Sequence, residues 1–311
     1  MTRFKIRRGK RKKANWLFYG LAVFLFLLGF IWIYMSLFQS SNSGHPAEGG
    51  EVAIIDQLST TYKNASFWHT TQSIFNEEGF KTYYYGSVTV GLYRGLPSQG
   101  FSLIILRAHS AVWLETGKLV LLTNEKWSDS KASTTYLPDI LADRVSKAIV
   151  DSQEYFAIYP NFVRAMNGNF NDTVIIMMGC ETLMTPSMAE AFIEKGAKLC
   201  IGWTGPISIK HADITIIHLL RHLITEKETA AEAVSRTMEE VGEDPDWGGR
   251  LDWYPPEEGN LIFTEIIRLT LKNSNVNTIA AVDVTVSVSH RFRSIQLKHA
   301  YFRIRRCTPL R

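Results

Sequence analysis

Apolar positions along this chain fall into one long block followed by many short runs. The block is 16–38, WLFYGLAVFLFLLGFIWIYMSLF, with 23 residues and no charge. At 1.5 Å per residue a helix of that length measures about 34 Å, enough for a hydrocarbon core of about 30 Å. Trp16, Tyr19, Trp32 and Tyr34 stand toward its ends, where amphipathic rings favour an interface. The pattern predicts a transmembrane helix over 16–38, acting as an uncleaved signal-anchor. A cleaved leader has a shorter apolar stretch and a small-residue cleavage site, and SSNSGHPAEGG offers none. Residues 1–15 are basic and are expected to stay cytoplasmic. The chain then reads as a single-pass cell-membrane protein with its soluble domain extracytoplasmic. Residues 39–50 (QSSNSGHPAEGG) read as a linker.

The short runs predict alternating strands and helices. EVAIID (51–56), KTYYY (81–85), SLIIL (102–106), TVIIMM (173–178) and AKLCIG (197–202) are strand-like. AVWLETGKLVLL (111–122) reads as a hairpin turning at 115–118. Helical spacing appears over 60–79, ending at Gly79, and over 136–149, 185–196, 208–224 and 228–241. Residues 261–267 and 280–288 look β-like. Continuous apolar strands between amphipathic helices imply an α/β fold with a mostly parallel sheet covered on both faces.

Composition narrows the function classes. Three cysteines in 311 residues exclude a disulfide scaffold. The net charge of +4 hides a polarised distribution. Of 34 basic residues, eight lie in 1–13 and seven in 290–311, leaving 19 between them against all 30 acidic residues. An acidic body argues against a nucleic-acid partner. No GxGxxG or P-loop appears, which disfavours nucleotide binding by a small-molecule hydrolase on such a sheet.

In sheets of this kind ligands bind at the carboxyl ends of the strands. SLIILRAHS leads into His109, and TVIIMMGCE leads into Cys180. A cysteine nucleophile needs a neighbour to take its proton, and histidine has suitable basicity. If the two strands are neighbours, His109 and Cys180 are the catalytic candidates. Taken singly, such a cysteine is usually a small core residue and such a histidine a hydrogen-bonded structural one. His218 and His222 in HLLRH share a helix face, but the glutamate of a zinc-protease motif is absent and His211 is about 10 Å along the helix. A partly exposed helix face is their default, so no metal and no cofactor is expected. Cys200 reads as a core residue, and Cys307 stands in the basic tail. Asp56, Glu181 and Asp213 could lie near a cleft, though solvated or capping carboxylates are commoner.

These motifs, Leu103–His109, the hairpin at 111–122, Gly179-Cys180-Glu181-Thr182 and EKGAKLCIGWTGPIS (194–208), resemble the caspase-like clan of cysteine peptidases, nearest its CHAT and separase-type branch. The resemblance spans about 51–264. It implies a caspase-like three-layer α/β/α sandwich over 51–267, preceded by the one transmembrane helix and followed by a β-like, basic extension at 268–311. It implies peptide-bond hydrolysis by a cysteine endopeptidase, with His109 as base and Cys180 as nucleophile. The backbone N–H groups of Ser110 and Cys180 would form an oxyanion hole, and Glu181, Trp203 and Thr204 would line the substrate cleft. Ser110 stands where that clan usually has glycine. The function expected is therefore a membrane-anchored peptidase acting on protein or peptide substrates through a Cys/His dyad. The alternative is an inactive caspase-like binding or signalling module on the outer face of the membrane.

Overall fold

The apolar runs become neighbouring strands. The computed structural model describes residues 50–113 and 116–267 and the backbone of 301–303. In chain order its strands are β1 (Glu51–Asp56), β2 (Lys81–Tyr85), β3 (Leu103–Arg107), β4 (Ser110–Trp113), β5 (Lys118–Lys126), β6 (Val145–Val150), β7 (Gln153–Ile158), β8 (Thr173–Met177), β9 (Ala197–Trp203), β10 (Leu251–Tyr254) and β11 (Tyr301–Arg303). The helices are α1 (Ala65–Glu77), α2 (Val90–Gly95), α3 (Asp129–Ser133), α4 (Leu137–Leu141), α5 (Pro160–Arg164), α6 (Ser187–Glu194), α7 (Ile209–Leu220) and α8 (Ala230–Val241).

Six strands form one sheet in the order β10-β9-β8-β3-β1-β2. Its pairs are parallel except β10 against β9. Strands β3 and β8 are buried at every position, and successive side chains feed opposite cores. Ile54, Ile105, Ile176 and Ile201 face a core closed by α1, α7 and α8. Ile55, Leu106, Ile175 and Met177 face the other core, which contains Met188 and Phe192 of α6 together with Leu121, Phe156 and Ile158. Those last three belong to a second sheet, ordered β11-β6-β7-β5-β4.

The expected caspase-like three-layer sandwich is corrected to this mixed arrangement of two sheets. Continuous apolar strands reveal burial on both faces but not whether helices or another sheet provide the cover. Here part of one cover is a largely antiparallel sheet. Its strand β6 occupies residues read as helical within 136–149. Asp143, at φ 53°, stops the chain after α4, and the β-branched Val145, Ile149 and Val150 then suit a strand. Residues 263–267, read as β-like, form a helical turn whose Phe263 and Ile267 face the same core.

Among the described residues no helix is long and apolar enough to cross a membrane. The segment expected to do so, 16–38, lies outside the described residues, as do the basic segment 1–15 and the β-like expectation at 280–288. The anchored, single-pass placement, its outward-facing domain and its membrane partner are corrected accordingly: nothing described carries them. The described residues belong to the unit Ala47–Arg311.

Polar side chains lock the carboxyl edge of the first sheet. Arg107, 1% exposed, ends β3. Its Nε and Nη2 donate to both carboxylate oxygens of Asp213 on α7, at 2.7 and 2.9 Å. Its Nη1 donates to Asp56 at 2.9 Å, and Nη2 also donates to the Tyr62 carbonyl at 3.0 Å. Asn64 caps α1 by accepting from the Phe67 N–H and donates its amide to Asp213. Burial alone would lower the Arg107 pKa, but Asp213 and then Asp56 hold it above its ordinary value. Replacing Arg107 by leucine strands two buried carboxylates. The expected loss is about 3–5 kcal/mol of unfolding free energy, read from urea denaturation. A loss below about 1 kcal/mol would show the cluster to be dispensable.

Candidate functional site

Parallel pairing places the ends of β3 and β8 side by side. Leu106 sits opposite Met177, and the Met178 N–H donates to the Leu106 carbonyl at 2.8 Å. The chain then leaves each strand through a short polar stretch, Ala108-His109-Ser110 on one and Gly179-Cys180-Glu181 on the other. As a result, His109 and Cys180 line one cavity although 71 positions separate them in sequence. Leu58, Tyr62, Ile207 and Ala212 complete much of its wall. The cavity measures about 20 Å³, room for roughly one water-sized group.

Each candidate is held by its backbone and its surroundings. The His109 N–H donates to Gln57 Oε1 at 2.9 Å, and the imidazole meets the Tyr62 ring edge-on at 5.9 Å. Gln57 is fixed in turn, since its own N–H donates to the Arg107 carbonyl and its carbonyl accepts from Asn124. The Cys180 thiol is partly exposed and donates to the Ile207 carbonyl at 3.4 Å. Cys200 is different in kind: full burial pushes its thiol far up, where it is unreactive. Cys307 lies outside the described residues.

Ser110 opens β4 opposite Leu121 in ordinary strand conformation, so the absence of glycine there costs no backbone strain. Its hydroxyl donates to the Cys180 carbonyl at 2.6 Å. That contact requires a glycine at 179, because a Cβ there would come within 2.1 Å of Ser110 Oγ and 2.7 Å of the Ala108 carbonyl oxygen. Ser110 and Gly179 therefore form a matched set beneath the cysteine.

The three residues expected in a substrate cleft lie elsewhere. Glu181 adopts φ 61° and turns its carboxylate onto the Val112 N–H at 2.9 Å, bracing the turn after Cys180. Trp203 is wholly buried at the end of β9. Thr204 lines a separate groove with Val234, Met238, Leu251 and Trp253. Thr182 instead supports the turn from below: its hydroxyl accepts from the Trp203 N–H at 2.8 Å and sits where Gly202 leaves space for it. Sequence reasoning missed Gln57, Tyr62 and the Arg107 cluster. The available signal was a charged residue at the end of an otherwise apolar run, LIILR.

A Gly179→Ala substitution is expected to destabilise the fold by about 1–3 kcal/mol through overpacking. Ser110→Gly in the same chain should recover part of that loss but not all, since the Ala108 carbonyl remains in the way. Urea denaturation of the two single variants and the double variant gives the coupling; strictly additive losses would dissolve the matched set.

No family model matches this chain, and no curated protein matches it. The membership read from the strand-end motifs, a caspase-like cysteine peptidase, is corrected on that finding. The function built on it is corrected too, in both its forms, the membrane-anchored peptidase working through an assembled Cys/His dyad and the inactive caspase-like module on the membrane's outer face. No described helix can cross a membrane, and the hydrogen bond described for the Cys180 thiol goes to the Ile207 carbonyl.

Proposed function

We propose that the protein is a cysteine-dependent hydrolase of acyl groups, an endopeptidase where the acyl group belongs to a peptide, with Cys180 as its nucleophile. The observation that supports this is that Cys180, itself partly exposed, lines one cavity with His109 at the carboxyl edge of a parallel sheet. Cys180 gives up its thiol proton to solvent, and the sulfur attacks the substrate carbonyl carbon. The leaving amine or alcohol takes a proton as its bond to the carbonyl carbon breaks. Water then cleaves the thioester, releasing the acid and restoring the thiol. The cavity's size suits a single carbonyl group rather than a large side chain. The matched Ser110 and Gly179 hold the Cys180 backbone still beneath the reacting sulfur.

The test uses the full chain, a thiol-alkylating probe and a panel of peptide and ester substrates. The probe is expected to modify Cys180 and leave Cys200 untouched. Cys180→Ala should lower hydrolysis about 10³-fold or more. Hydrolysis that survives Cys180→Ala undiminished, or a Cys180 that the probe never labels, would overturn the proposal.

A further inference from the structure

A second cluster of polar chemistry lies where α7 gives way to α8, and it owes nothing to the thiol site. After Leu220 the helix continues as one π-helical turn, Arg221–Thr225. Such turns change the direction of the side chains that follow, and here His222 is buried, 4% of its side chain exposed. His222 Nδ1 lies 3.1 Å from Glu226 Oε2 and 3.1 Å from Glu228 Oε2. On the other side of the ring, Nε2 lies 3.3 Å from Glu240 Oε1. The other Glu240 oxygen accepts from His218 Nδ1 at 2.8 Å, and the two histidines hold the Glu240 carboxyl below its ordinary pKa.

We infer that His222 Nδ1, Glu226 and Glu228 form a site for a divalent first-row metal ion, with Glu240 orienting the imidazole from behind. Three observations converge on it. One ligating atom from each of His222, Glu226 and Glu228 falls within 4.8 Å of the others. Ligands about 2.1 Å from a zinc ion stand at most about 4.2 Å apart, so a small rotation of the half-exposed Glu226 closes the set. Glu228 Oε2 is buried and makes no hydrogen bond, although Nδ1 is 3.1 Å away. The hydrogen bond at Nδ1 goes to Glu226 Oε2, which leaves Glu228 Oε2 facing the ring without a proton, and a cation in place of that proton would join both carboxylates. Finally, a carboxylate on the far nitrogen of the ring is the usual support of a metal-ligating histidine, because it fixes the tautomer that leaves the near nitrogen's lone pair available.

Charge agrees. Glu226, Glu228 and Glu240 bring three carboxylates, and among the described residues the guanidinium in contact with them is that of Arg236, at 2.7 Å from Glu228 Oε1 and 3.4 Å from Glu226 Oε2. Lys227 turns to Glu78 instead. Arg236 meets the Glu228 oxygen that does not face the imidazole and shares Glu226 Oε2 with the ring, so an ion would draw that oxygen from the guanidinium. One nitrogen and two carboxylates suit zinc or manganese better than calcium or magnesium, which prefer an all-oxygen shell. An ion here ties the π-helical turn to the loop before α8 and, through Glu240, to the end of that helix, so its role is to brace the α7–α8 hairpin.

Isothermal titration of the EDTA-stripped full chain with zinc chloride tests this. One zinc per chain is expected. Glu226→Gln, a half-exposed change that leaves the core untouched, should weaken binding at least tenfold, and Glu240→Gln should do so about 10–100-fold. Cys180→Ala should bind zinc like the parent, which separates this site from the thiol. Absence of saturable binding, binding unchanged in Glu226→Gln and Glu240→Gln, or binding lost in Cys180→Ala would each overturn the assignment.

Discussion

The carboxyl edge of the first sheet depends on one buried guanidinium. Arg107 carries a single positive charge against two carboxylates, with all three side chains nearly excluded from water. Burying such charges costs several kcal/mol for each ion unless every donor and acceptor is answered. Here the answers come from around the edge. Both Asp213 oxygens accept from Arg107, one of them also from Asn64, while Asp56 accepts from Arg107, the Leu58 N–H and the Tyr84 hydroxyl. The cluster therefore joins the ends of β1 and β3, the side chain at the end of β2, the cap of α1 and the first turns of α7. It also fixes the loop that follows β1, since Arg107 holds the Tyr62 carbonyl. That loop contributes Gln57 to the His109 backbone and Leu58 and Tyr62 to the cavity wall. A cysteine and a histidine can share a cavity here because an ion cluster directly behind them leaves the edge no freedom to open.

The cysteine side of the cavity is built by a different device, small residues in register. Gly179 lets Ser110 reach the Cys180 carbonyl, and Gly202 lets Thr182 reach the Trp203 N–H. Glu181 then takes a left-handed conformation and spends its carboxylate on the Val112 N–H. Three consecutive residues, Cys180, Glu181 and Thr182, are thus tied to two strands, β4 through Ser110 and Val112 and β9 through Trp203. Cys180 lines the cavity from a turn that is held on both sides.

The central strands were legible because burial on both faces leaves an unbroken apolar run, and the polar strand ends were legible because those runs stop abruptly, one at Arg107 and one at Gly179. Of the second sheet only the β4–β5 hairpin, read at 111–122, was legible. Strand β6 was not, because its polar and apolar positions fit the helical spacing read over 136–149 until the left-handed Asp143 decides between them. The cleft residues failed for another reason. An acidic residue beside a cysteine looks like a specificity group, yet its role is set by a backbone angle, and the tryptophan after a glycine looked like a cleft wall when it fills the core. Arg107 was visible as a charge at the end of an apolar run, but its partners stand 51 and 106 positions away, and nothing local announces them.

The two histidines of HLLRH show how a small change in helix geometry reassigns a motif. In a regular α-helix, residues four apart share one face and would present two imidazoles to the same ion. The π-helical turn begins immediately before His222 and breaks that equivalence. His218 keeps a third of its side chain exposed, whereas His222 is carried inward. The glutamate that serves both rings, Glu240, comes from α8 and separates them, one oxygen to each. The carboxylates that gather at Nδ1 of His222 come from downstream: Glu226, the i, i+4 neighbour, and Glu228, which lies beyond that rule. A motif judged by helical spacing alone is thus read with the wrong partners: the spacing identifies the ring that matters, and the extra residue in the turn decides which carboxylates it meets.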